Sequence, residues 1–64
     1  MSELVPIEAQ IASAERELKF RLRVYPRWVQ QGKLSDQQSA HELRCMRAIV
    51  DTLQRVAGQA PLPL

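Results

Sequence analysis

The sequence predicts an all-α fold: an antiparallel helical hairpin that pairs with a second copy into a four-helix bundle. Three observations carry this. Apolar residues recur at helical spacing in two long stretches. A segment holding Pro26 and Gly32 separates them. The 64 residues are too few to bury a large core. Residues 1–58 make the hairpin (helix 4–25, a Pro-kinked corner 26–34, helix 36–57), and 59–64 an extended Pro-rich tail.

In the first helix, Leu4, Ile7, Ile11, Ala14, Leu18, Leu22 and Tyr25 fall within about 80° of one another at 100° per residue. Ser2 or the region of Pro6 starts it, because Pro is tolerated in a first turn. Acidic residues gather at its N-terminal end and basic ones at its C-terminal end, as the helix dipole favours. Pro26 lacks an amide and clashes with the preceding turn, so the helix should kink there or stop near Val24. Gly32 then caps the corner, with a positive φ.

The second helix begins at Ser35, where Ser35-Asp36-Gln37-Gln38 fits a capping box. Leu43, Met46, Ile49, Val50, Leu53, Val56 and Ala57 follow, on a face about 140° wide. Gly58 supplies the stop, and the tail from Ala60 cannot continue a helix.

A lone pair of helices buries little, and short chains usually need disulfides, a metal or self-association. One cysteine, Cys45, and one histidine, His41, exclude the first two within a single chain. Phe20 and Val24 lie on the side of the first helix opposite Leu18 and Leu22, while Ile49 and Val56 widen the second face beyond one partner's reach. Phe20, Val24, Ile49, Leu53 and Val56 are therefore the expected oligomer interface, in a homodimer. The alternative is that Phe20 and Val24 only pack under the corner at Trp28.

Catalysis is not expected. His41 and Cys45 share a face at i, i+4, but one turn of an exposed helix offers no oxyanion donors and no orienting third group. Two ligands fall short of a metal site, unless a dimer brings two such pairs together. Glu15, Glu17, Glu42 and Asp51 are not fixed in pairs across a cleft. With only Gly32 and Gly58 there is no glycine-rich phosphate loop, and no cofactor is predicted. No apolar run nears the roughly 20 residues of a membrane span, and the opening MSELVPIE has no signal-peptide pattern, so a cytoplasmic protein is expected.

The net charge is +2, and it is uneven: −3 over residues 1–15, +5 over 16–33 and zero beyond. Seven of the nine cations are Arg, which suits bidentate contact with carboxylate or phosphate. Three of them crowd with the only Tyr and Trp into Arg21-Leu-Arg-Val-Tyr-Pro-Arg-Trp-Val29. Arg21, Arg23, Tyr25, Arg27 and Trp28 are the candidate partner-binding patch, an arginine and aromatic cluster of the kind that dominates interfaces. The rings alternatively plug the end of the bundle, and the charges form a solvated helix face.

From Ile11 to Leu53 the chain resembles small, largely uncharacterised proteins encoded by phages and prophages of Proteobacteria. The resemblance rests on Glu15-Arg-Glu-Leu18, Arg21-x-Arg-Val-Tyr-Pro-Arg-Trp-Val29, Gly32-Lys33-Leu34 and His41-Glu-Leu-x-x-Met46-x-Ala-Ile-Val50. It implies a small accessory protein in a bacterial cytoplasm, of a kind that often blocks a host protein or sequesters a signalling nucleotide. The expected function is therefore stoichiometric binding that modulates or inhibits a host protein, with anti-defence action as one form of it. An anion or nucleotide sponge and a nucleic-acid-binding helical dimer are the alternatives, the latter disfavoured by the modest charge and by the absence of a helix-turn-helix.

Overall fold

The computed structural model describes residues 4–59, and these form two helices, α1 (Ile7–Gln30) and α2 (Asp36–Gln59), folded back as an antiparallel hairpin. There is no strand among the described residues. The fold is the all-α hairpin that the two apolar periodicities predict.

Helix α1 follows Pro6, whose carbonyl accepts from the amides of Ala9 and Gln10 at 3.0 and 3.2 Å. No side chain caps this end. Leu4 precedes the helix and is 99% exposed, so it does not belong to the buried stripe. Ser2 and the tail from Ala60 lie outside the described residues.

The helix does not stop near Val24. Helix α1 runs through Pro26 for one further turn, which moves the corner from 26–34 to residues 31–35. The ring costs the Leu22 carbonyl its intrahelical donor. Pro26 is exposed and Leu22 is 41% exposed, which places this gap on the outer side of the helix. The turn beyond it is held from both ends: Trp28 and Val29 are half-buried, and the helix closes with a complete Schellman motif. The Lys33 amide donates to the Trp28 carbonyl at 2.9 Å and the Gly32 amide to that of Val29 at 3.1 Å, with Gly32 at φ 74°. Packing and cap together outweigh a proline penalty of about 3 kcal/mol.

Helix α2 opens with the predicted capping box. The Gln38 amide donates to Ser35 Oγ at 3.0 Å, and the Ser35 amide donates to Gln38 Oε1 at 3.1 Å. Two orphan donors of the helix start are satisfied reciprocally. Gly58 does not stop the helix. It sits inside α2, which continues to Gln59, and only Gly32 has a positive φ among the described residues.

The core is thin. Ala14, Met46 and Val50 are buried, with Leu18 and Leu53 packed against them. Tyr25 is buried separately near the corner, and no large side chain is fully buried among the described residues. The small Ala14 side chain lets α1 approach Met46 and Val50 of α2 closely. No described helix is long and apolar enough to cross a membrane.

Candidate functional site

Two contacts between the helices define the two flanks of the hairpin. On one, Arg21 Nη1 lies 3.6 Å from Glu42 Oε1, while its Nε lies 3.5 Å from Glu17. On the other, Gln54 Nε2 donates to Glu15 Oε2 at 3.4 Å. At 100° per residue, Val24 and Phe20 lie beyond Arg21 on the flank of α1 away from Glu15. Ile49 and Val56 lie beyond Glu42 on the flank of α2 away from Gln54. The two apolar stripes therefore share one flank. Phe20, Ile49 and Val56 are each between 42% and 49% exposed, and Val24 is half-buried. Leu53 sits deeper, against the core, and joins Ala48, Ile49 and Thr52 around a shallow apolar groove of about 240 Å³.

The arginine and aromatic segment does not form a single surface. Its residues are contiguous in sequence, but successive positions on a helix turn by about 100° and point different ways. Arg21 is half-buried and ties α1 to α2 through its carboxylate contacts. Tyr25 is 8% exposed and packs against Trp28, with ring centroids 5.6 Å apart. Trp28 is itself half-buried and meets the edge of Phe20 at 6.5 Å, so Tyr25, Trp28 and Phe20 form a continuous aromatic ladder. This packing of Phe20 on Trp28 coexists with the exposure of the Phe20 ring. Arg23 and Arg27 are exposed, on the side of α1 that faces away from α2. Arg23 lies over the Phe20 ring, 5.7 Å from its centroid. The five candidate partner-binding residues thus divide: Arg21 and Tyr25 are engaged within the hairpin, Trp28 bridges, and Arg23 and Arg27 face outward.

Sequence reasoning passed over Arg16 and Lys19 as members of that outward group. The signal was present as periodicity: residues 16, 19, 23 and 27 repeat at i+3 and i+4. It also passed over the hollow at the corner, a cavity of about 590 Å³ lined by Tyr25, Leu34, Gln37, Gln38, His41 and Glu42.

His41 and Cys45 do meet, with Sγ 3.5 Å from Nε2, on an exposed turn of α2. No third His, Cys, Asp or Glu completes a metal-binding group with them among the described residues. No family model, curated protein or solved structure matches the chain.

Proposed function

We propose that the protein is a non-catalytic binding module that pairs with itself through the flank holding Phe20, Val24, Ile49 and Val56, with Leu53 beneath. The product is a four-helix bundle. The observation that supports this reading is that both exposed apolar stripes fall on the same flank, while the opposite one is marked by the Gln54–Glu15 contact. Each 24-residue helix is about 36 Å long. A flank two helices wide then offers about 700 Å², close to the roughly 800 Å² per partner of a standard interface. Charge does not oppose this pairing at Arg21, which is already paired with Glu17 and Glu42.

The work of such a module is stoichiometric binding of another protein. The resemblance to phage and prophage proteins supports a host protein in a bacterial cytoplasm as that partner, which makes the chain a small phage-type accessory protein.

Light scattering over a range of concentrations tests self-pairing. The wild-type chain is expected to double its mass as concentration rises, and a Phe20→Glu, Ile49→Glu variant to stay monomeric and helical. A wild-type chain that is monomeric and fully folded at every concentration overturns the reading. Affinity purification of the tagged protein from its host, followed by mass spectrometry, identifies the partner.

A further inference from the structure

We infer that the side of α1 facing away from α2 is a docking ridge for an acidic amphipathic helix of another protein. The inference rests on the binding-module reading, and it names the surface and the chemistry of the partner.

The ridge is built by register. Arg16, Arg23 and Arg27 lie within about 40° of one another and roughly opposite Ala14 and Tyr25, the buried residues of α1. Lys19 lies beside them, about 60° to one side. All four side chains are exposed. None is within ion-pair distance of a carboxylate among the described residues, in contrast to Arg21 and Arg55. Arg16 has only a neutral neighbour, donating to Ser13 Oγ at 3.1 Å. The chain as a whole carries +2, so four cations on one strip leave the remainder net negative. This is a localised positive strip and not a generally basic protein.

Its spacing selects the partner. The cations follow one another at intervals of three and four residues along about 16 Å of helix axis. A second helix with carboxylates at three- and four-residue spacing has the same rise per residue, so it can meet all four in register. Arginine adds bidentate geometry to those contacts. Phe20 borders the strip and belongs to the pairing flank, with Arg23 over its ring marking the boundary between the two. Further along the same side Ala9 and Ala12 are exposed and small. An apolar stripe on the partner helix can rest on these two alanines while its acidic residues reach the cations. A phosphate backbone satisfies the charges but gives the alanines nothing to cover.

The test uses three probes at fixed salt: a 21-residue helical peptide with Leu and Glu at three- and four-residue spacing, the same peptide with Lys in place of Glu, and a duplex DNA of equal length. Fluorescence anisotropy is read with the wild-type chain and with an Arg16→Ala, Arg23→Ala, Arg27→Ala variant. All three substitutions are exposed, and circular dichroism and light scattering on the same samples report folding and pairing. The acidic peptide is expected to bind, the basic one not. The triple variant should weaken binding roughly 10- to 100-fold, the sum of three surface pairs, with helicity and mass unchanged. Added salt should weaken the wild-type complex as it screens the exposed charges. Tighter binding of the DNA than of the acidic peptide, no binding of that peptide, or equal binding by the triple variant overturns the ridge. Because mass is read separately, a chain that fails to pair but loses the peptide with the triple substitution refutes the proposed assembly and leaves the ridge standing.

Discussion

The two ends of the hairpin are built to different standards. At the closed end, within the fourteen residues from Tyr25 to Gln38, a buried tyrosine, a stacked tryptophan, a Schellman motif and a reciprocal capping box follow one another. At the open end α1 starts without a side-chain cap, Leu4 is in solvent, and α2 has no basic residue in its last turn. Both ends sit on helices of equal length and similar amphipathicity. Order in this molecule therefore comes from local termini and corner packing more than from the depth of its core, which holds only Ala14, Met46 and Val50 with their neighbours.

That contrast can be broken from the closed end first. Tyr25→Ala removes the buried ring and the partner of Trp28, and is expected to destabilise the fold by about 3 kcal/mol, read from chemical denaturation. Pro26→Ala acts in the opposite direction. It returns a donor to the Leu22 carbonyl and should stabilise by about 2 kcal/mol after the loss of proline's stiffening of the unfolded chain, raising the denaturation midpoint. A lower midpoint would mean that the ring itself braces the last turn.

Smaller changes sharpen the comparison. Gly32→Ala meets no atom within 4 Å, so its cost is purely that of a left-handed residue, about 1 kcal/mol. Ser35→Ala removes one half of the capping box for a similar cost. At the open end Gly58→Ala has room and a helical backbone, and should stabilise by roughly 0.5–1 kcal/mol. Leu4→Ala should leave the denaturation midpoint within about 0.5 kcal/mol of wild type. Amide exchange then gives the profile directly, with the slowest amides in the middle of the helices and toward the corner, and the fastest over the first turn of α1.

What could be read from the sequence follows from range. The capping box of Ser35 and Gln38 and the left-handed Gly32 are local: their partners lie within five residues, so spacing alone identifies them. Pro26 and Gly58 carry equally strong local signals, yet the helices pass through both. At Pro26 the outcome depends on Trp28, Val29 and the cap beyond, a balance that no window around the proline contains. The stripe of α1 was legible except at its margins, since Leu22 falls on the edge where a helix crossing decides exposure. The candidate site was legible in composition and not in direction. Nine consecutive residues turn through two and a half helical turns, so Arg21 and Tyr25 joined the hairpin while Arg23 and Arg27 faced outward.

The outward register of Arg16, Arg23 and Arg27 has a quantitative consequence once two copies are joined. The strips lie off the flank that carries Phe20 and Ile49, so pairing leaves both uncovered, and one assembly is bivalent. Against a target that displays repeated acidic helices, the second contact forms at an effective concentration set by the bundle's own dimensions. Avidity can then exceed the single-site affinity by orders of magnitude, about 10²–10⁴ when the geometry allows both to engage. A weak individual strip is thereby compatible with tight overall capture.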